Sequence, residues 1–370
     1  MPVPLLDLRA QHATIRDEVV AAMMDVVDSQ LFILGEPVAK LEEDVAALSR
    51  TKHAIGCASG TDALLLAFRA LDIGRDDEVI TTPFTFFATA GTIHNVGAKP
   101  VFVDIEPRTY NMDPAAAKAA VSSRTKAVVP VDLFGQMAAI ECLQELLPSI
   151  PVVEDAAQSI GAQRMIGGKR CMAGEAATIG TFSFFPSKNL GAYGDAGMMV
   201  TQDDALAQRL RRLRVHGGLK TYFHEEVGYN SRLDALQAAV LRAKFCHLEQ
   251  WSQKRRSNAA YYDQAFADLA EIQTPFVDPN NVSIFNQYTI RVERRDELQQ
   301  HLNARKIGSA VYYPLPLHLQ PCFAYLGYKE GAFPESERAA KEVISLPVFP
   351  ELTRTQMDEV IGAVHDFYSR

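Results

Sequence analysis

Four short stretches of the chain hold residue types that chemistry can use. Ser59-Gly60-Thr61-Asp62 is a small polar turn opening a helical pattern, the form of a helix start whose backbone N–H groups bind anions. Pro83-Phe84-Thr85-Phe86 sets an aromatic ring, Phe86, behind an apolar run, and Glu154-Asp155-Ala156-Ala157-Gln158 closes another run on carboxylates. Ser183-Phe184-Phe185-Pro186-Ser187-Lys188-Asn189-Leu190-Gly191 carries a lysine just past a third. A lysine amine forms a Schiff base with a carbonyl group and is released when an amino substrate arrives. A carboxylate facing a pyridine nitrogen keeps it protonated, so that the ring draws electrons. An aromatic ring stacked on such a ring fixes its plane at little entropy cost. Together these are the parts that hold a phosphorylated pyridine aldehyde. Singly each has a plainer reading. Gly60-Thr61-Asp62 is a common helix start, Asp155 a turn carboxylate, Phe86 core packing, Ser183 an ordinary strand serine and Lys188 a surface lysine.

What separates the two readings is where the stretches fall in the fold. Apolar runs at 54–58, 78–82, 99–105, 127–131, 151–154, 178–184 and 197–201 read as seven strands. Helical patterns begin near Thr61, Thr85, Pro114, Met137 and Asp203. This alternation predicts a mostly parallel α/β sheet with helices on both faces. Only about a dozen residues separate Phe184 from Gly197, too few for a helical crossover, so the seventh strand is expected to be antiparallel. Ligands of open α/β sheets sit outside the carboxyl ends of the strands, and each of the four stretches follows such an end. Before the sheet, residues 12–29 read as a helix. After it, a helical region over 233–269 leads to a strand at 287–292, a helix at 296–305, a short strand at 310–313, and helices at 335–343 and 353–368. The expected organisation is an N-terminal helical segment (1–30), a large domain (31–245) and a small C-terminal α/β domain (246–370).

Composition narrows the function classes. A net charge of −8 without a long basic stripe argues against nucleic acid as a partner. The clusters Arg211, Arg212, Arg214 and Lys254 to Arg256 read as solvated helix faces. Five scattered cysteines without a CxxC pair fit reduced thiols in a cytoplasm, and no metal is expected. The first residues show neither the basic nor the apolar part of an export signal. No apolar stretch reaches the roughly 18 residues of a membrane span.

The phrase around Lys188, with Glu154-Asp155-Ala156-Ala157-Gln158-Ser159 upstream, resembles the DegT/DnrJ/StrS family of nucleotide-sugar aminotransferases. Ser59-Gly60-Thr61-Asp62-Ala63-Leu64, Gly228-Tyr229-Asn230-Ser231-Arg232-Leu233-Asp234 and Tyr312-Tyr313-Pro314-Leu315-Pro316-Leu317-His318 extend the likeness almost end to end. The resemblance implies a fold type I enzyme dependent on pyridoxal 5'-phosphate (PLP). Lys188 would carry the cofactor, and Asp155 would face its pyridine nitrogen. Gln158 would lie on the phenolic oxygen side and Phe86 on the ring. Gly60, Thr61, Asp62 and Ser183 would hold the phosphate. Asn230 would come from a neighbouring subunit of a homodimer with shared sites, while Arg232, Tyr313 and His318 would face the sugar. The implied reaction moves the amino group of L-glutamate to a nucleotide-linked keto-sugar. Likeness at Arg108-Thr109-Tyr110-Asn111 and Asn230 to Asp234 favours a 3-amino product, with a 4-amino product as the alternative. Related sugar dehydratases replace the lysine with histidine, and non-catalytic regulators would lose the lysine or the aspartate; this chain keeps both.

Overall fold

The apolar runs form one sheet. In spatial order its strands are Lys99–Phe102, Glu78–Thr81, Thr125–Val128, Val153–Asp155, Ile179–Ser183, Gly197–Thr201 and His53–Cys57. The first three and last four are laddered, and parallel bridges from Val128 to Val152 and Val131 to Asp155 join the two sets. Gly197–Thr201 is antiparallel to both neighbours, Gly197 standing opposite Cys57 on one side and Ser183 on the other. The other ladders are parallel. The seventh strand thus runs as its short connection requires. This is a computed structural model, and it describes residues 2–369, so Met1 and Arg370, at the outer ends of the expected first and last segments, lie outside it.

Alternation along the strands feeds two cores. Met198 and Val200 pack with Phe182 against Val38, Leu41 and Val45 of the helix Glu36–Leu48. Met199, one residue out of phase, packs with Ile55 and Ile179 against Leu66 and Phe68 of the helix Gly60–Ala70. Successive strand side chains point to opposite faces, so a strand buried on both reads as a continuous apolar run. A third core lies in the C-terminal part, where Tyr262, Phe266, Tyr288, Leu302 and Val364 gather. The helix Leu8–Ser29 rests on the helices Ala235–Phe245 and Leu248–Ala265, with Ile15 and Val19 against Val240 and Trp251. Among the described residues no helix is long and apolar enough to cross a membrane.

Several elements depart from the sequence reading. Residues 233–269 form two helices rather than one, because Cys246 and His247 interrupt them. The helix Glu36–Leu48 was not expected, although Pro37 in its first turn marks it. A hairpin, Gln163–Ile166 with Lys169–Met172, turns through Gly167 and Gly168, both at positive φ as a tight hairpin requires, and adds Asn281–Val282 as a third strand. Tyr288–Arg291 pairs with Val343–Leu346, which leaves the helix Pro334–Glu342 directly. Of the strand expected at 310–313, only a bridge from Ala310 to Ser345 forms.

One contact sets the site's geometry. A Cβ on Gly197 would stand 2.3 Å from both the carbonyl carbon and oxygen of Ser59. Gly197→Ala should therefore push the Ser59–Gly60 turn away and cost about 1–3 kcal/mol, the usual scale of overpacking. Urea unfolding measures the loss, and an unchanged midpoint would show that the turn yields freely.

Candidate active site

The turn after His53–Cys57 is built as a helix start. Ser59 caps the helix Gly60–Ala70 by accepting from Asp62 N at 3.0 Å. The N–H groups of Gly60 and Thr61, like those of any first helical turn, have no partner inside the helix and are free for an anion. Ser183, at the end of its strand, closes the other side. A Cβ on Gly60 would lie 2.6 Å from Ser183 Cβ, so only glycine allows this approach. Asp62, expected among the phosphate contacts, behaves differently: its N–H goes to Ser59 and its carboxylate accepts from Ser231 Oγ at 2.9 Å. It braces the turn, since a carboxylate offers an anion no donor.

Lys188 sits in a loop folded back on its strand. Lys188 N donates to Phe185 O and Ala192 N to Phe184 O. Asn189, buried beside it, donates to Ile284 O and accepts from Asn286 Nδ2. Lys244, also buried, donates to Gly191 O at 2.6 Å and lies over the Tyr193 ring. Lys188 is half-buried, and desolvation lowers its pKa from 10.5 to about 8, against an opposing pull from Asp155.

Asp155 ends the neighbouring strand at 5% exposure. Burial raises its pKa, while hydrogen bonds from Thr89 and the Ala157 N–H, and the charge of Lys188, act the other way. Two more carboxyls stand close by, Asp132 and Glu154, both fully buried. Desolvation raises Asp132 to about 6 and Glu154 well above the carboxylate range, and the charge of Asp132 raises Glu154 further. That arrangement leaves Asp155 as the carboxylate beside the lysine. Gln158 is locked by its neighbours: its Oε1 accepts from Phe134 N at 2.7 Å, and its Nε2 donates to Tyr313 Oη at 3.0 Å. Phe84 is buried, but Phe86 is 59% exposed, with its ring centroid 6.4 Å from that of Tyr313. An exposed ring of this kind is free to be covered by a flat ligand.

The remaining expected residues divide. Arg232 bridges to Cys57 through its backbone and has no ion-pair partner among the described residues. Asn230 is exposed and bridges to Val215. His318 is the exception. Its side chain is wholly enclosed, its Nε2 lies 3.0 Å from Glu337 Oε1, and Phe333 packs edge-on 4.8 Å away. His318 is thus enclosed, with Nε2 bonded to Glu337 and Nδ1 without a hydrogen-bond partner among the described residues. The sequence reading missed Thr85, Thr89, Asp132, Lys244 and Asn286, residues of ordinary type that become relevant through folding.

The model of the DegT/DnrJ/EryC1/StrS aminotransferase family matches residues 13–365. The chain belongs to that family. A "Pleiotropic regulatory protein" of Geobacillus stearothermophilus is 52% identical over all of this chain and 99% of its own length. A UDP-N-acetyl-3-dehydro-alpha-D-glucosamine 3-aminotransferase of Acidithiobacillus ferrooxidans is 46% identical, covering 98% of this chain and 97% of that one. The crystal structure of Streptomyces venezuelae DesV in complex with a ketimine intermediate superimposes with a TM-score of 0.96 at 42% identity, covering 100% of this chain and 99% of DesV. Aminotransferases of the family depend on PLP. The residues present fit that cofactor. The glycine-lined helix start suits its phosphate, Asp155 its ring nitrogen and Lys188 its carbonyl.

The lowered Lys188 pKa has a testable sign in the cofactor-free aminotransferase. Between pH 8 and 10.5 the unfolded chain binds the proton and the folded chain has lost it, so stability contributed by this residue rises with pH through that window; below pH 8 its burial cost is fully present. Relative to Lys188→Met, wild type should gain about 2 kcal/mol between pH 7.5 and 9.5 in urea unfolding. Parallel pH profiles would refute the shift.

Proposed function

We propose that this aminotransferase moves the amino group of L-glutamate to carbon 3 of a nucleotide-linked keto-sugar, with PLP held on Lys188. The observation that carries this reading is a half-buried lysine just past one strand beside a buried carboxylate that ends the parallel neighbour, the lysine's pKa lowered to about 8. Bound there, the cofactor supplies a carbonyl for amine exchange and a ring that takes up electrons from the reacting carbon. The chain does the rest. Lys188 Nζ, neutral more readily than an exposed lysine, takes the proton from the donor's Cα and delivers it to the other side of the exchange. Asp155 holds a proton on the facing nitrogen. Gly60, Thr61 and Ser183 hold the phosphate, Phe86 covers the ring, and Gln158, fixed by Phe134 and Tyr313, borders the phenolic oxygen.

Arg232 and Tyr313 are proposed to face the sugar nucleotide, Arg232 because a guanidinium without an ion-pair partner among the described residues suits a diphosphate or a sugar carboxylate. The name of the Acidithiobacillus relative, a 3-aminotransferase acting on a 3-dehydro sugar, supports carbon 3. A cytoplasmic homodimer is part of the proposal, with Asn230 of the partner subunit completing each phosphate site. Exposed Leu31, Ile33, Leu219, Tyr222 and Val227 support a second copy, since apolar side chains in such number favour a covered surface. All five cysteines are free, in keeping with a reducing compartment.

The name of the Geobacillus relative favours a second reading, regulation. One assay separates the two. Purified protein is incubated with L-glutamate and a panel of UDP- and dTDP-linked 3-keto and 4-keto sugars, and amino-sugar products are read by mass spectrometry. Amination at carbon 3 is expected, and Lys188→Ala should lower turnover by roughly a thousandfold or more. Exclusive amination at carbon 4 would overturn the regiochemistry, transfer only among free amino acids and oxo acids would overturn the sugar, and no transfer at all would favour regulation.

The shared site has its own test. Inactive Lys188→Ala and inactive Asn230→Ala proteins, mixed under conditions where subunits exchange, should regain part of the activity, because a hybrid dimer contains one intact site. Confirmed exchange without recovery would place each site within one chain.

A further inference from the structure

Asp155 is attached to a hydrogen-bonded relay that begins in a different segment. Its Oδ2 accepts from Thr89 Oγ1 at 2.8 Å, and Thr89 Oγ1 lies 3.1 Å from Thr85 Oγ1. Both threonines are buried, Thr89 at 0% and Thr85 at 2%. A hydroxyl has one proton to give. With Asp155 ionised, Thr89 gives its proton to an oxygen that can only accept, so toward Thr85 it must itself be the acceptor. The direction is therefore determined: Thr85 to Thr89 to Asp155. Each donor in such a chain polarises the next.

The neighbouring threonine of the same helix shows the ordinary alternative. Thr92 Oγ1 donates to Ala88 O, back along the helix Phe87–Asn95, the usual use of a buried helical hydroxyl. Thr89 instead reaches out of its helix to a strand end that is distant in sequence. A structural role needs no such reach, since valine fills the same volume.

The surroundings explain why Asp155 needs the bond. Glu154 and Asp132 stand behind it, Tyr313 and Lys188 beside it, and water reaches little of it. Burial favours its neutral form, and the bond from Thr89 is the largest opposing influence, ahead of the Ala157 N–H and of Lys188. A donor to the charged form favours that form and fixes which oxygen stays open to another partner. With Oδ2 held by Thr89, and Oδ1 receiving only the longer 3.3 Å bond from Ala157 N, Oδ1 is the oxygen left for a further donor.

We propose that Thr89, aligned by Thr85, is the positioning residue that holds Asp155 as a carboxylate with Oδ1 turned to the ring nitrogen of the cofactor. This rests on the reading of Asp155 as the partner of that nitrogen. Thr89 acts through Asp155 and touches neither substrate nor reacting atoms.

The test uses holoenzyme loaded with PLP carrying 15N in the ring, and compares Thr89→Val, Thr89→Ser, Thr85→Val and, as control, Asp155→Asn. Three quantities are read: the 15N chemical shift of the ring nitrogen, the rate of the half-reaction with L-glutamate, and the thermal midpoint. Asp155→Asn should move the 15N signal towards the unprotonated position. Thr89→Val should move it the same way in part and slow the half-reaction about 10- to 100-fold, the scale of a lost bond to a charged group, with little change in midpoint. Thr89→Ser should restore both to within about threefold, and Thr85→Val should produce a smaller loss of about threefold to tenfold. If Asp155→Asn moves the signal while Thr89→Val and Thr85→Val leave signal and rate as in wild type, the relay is refuted and the reading of Asp155 stands. If Asp155→Asn leaves the signal unmoved, that reading fails and takes the relay with it. Should Thr89→Val not fold, Thr85→Val decides the matter, because it keeps Thr89 and removes only the hydroxyl that aligns it.

Discussion

Burial works against the ionised form of any carboxyl group, and here three such groups meet at one point of a dry sheet. Asp132 and Glu154 are fully enclosed and Asp155 is nearly so. Each is held by donors from its surroundings: Ala138 N and Ser159 Oγ for Asp132, Gly174 N for Glu154, Thr89 and Ala157 N for Asp155. Buried polar groups are tolerated only when satisfied in this way. Two segments had to be knitted together to do so. Asp132 N donates to Asp155 O, and Phe134 N to Gln158 Oε1. Phe134 takes a positive φ of 59° in the process, an uncommon conformation for a bulky residue and one its surroundings impose. The position of the site thus follows from a demand for hydrogen-bond partners as much as from the path of the strands.

The C-terminal part closes over this arrangement by entering the same cores. Ala339, Ala340 and Val343 pack with Phe84, Tyr110 and Phe134, and Leu317, Phe323 and Phe333 pack with Ala90 and Phe102. Asp104, just past the strand Lys99–Phe102, caps the helix Pro334–Glu342 through Glu335 N, Ser336 N and Ser336 Oγ. Leu317 N donates to Pro83 O, so the segment holding Tyr313 is tied to the loop holding Phe86. His318 belongs to this tie. Enclosed among Phe333, Tyr328 and Glu337, it secures the segment and leaves the open position to Tyr313.

Much of this was legible in the chain itself. Each central strand is buried on both faces and so appears as an unbroken apolar run, and the shortness of 184–196 determined the direction of the last strand. Glu36–Leu48 was missed, although Val38, Leu41 and Val45 stand at helical spacing after Pro37. Val343–Leu346 was not legible, because no turn residue separates it from the preceding helix and its pattern continues a helical one. At the site, lysine, aspartate and glycine stand out by type. Thr89 does not: a threonine within a helix carries no signal until a strand end lying well apart in the sequence is folded against it. Asp62 and His318 stand out by type as well, but not the bonds the fold gives them, from Ser231 to Asp62 and between His318 and Glu337.

The antiparallel strand Gly197–Thr201 also has a consequence in time. It is the ladder partner of His53–Cys57 on one side and of Ile179–Ser183 on the other. A ribosome therefore releases the first strand of the sheet roughly 140 residues before its neighbour exists, a delay on the order of 7–30 s at ordinary elongation rates. During that interval the apolar Ala54-Ile55 edge has no native strand to pair with, and the helix Gly60–Ala70 has only part of the surface it later covers. Pairings between ends so far apart are slow to form and leave sticky edges exposed meanwhile. A nascent chain accordingly carries an unpaired apolar edge until the seventh strand emerges, and the Ser59–Gly60 turn, which packs on Gly197, cannot reach its final contacts before then.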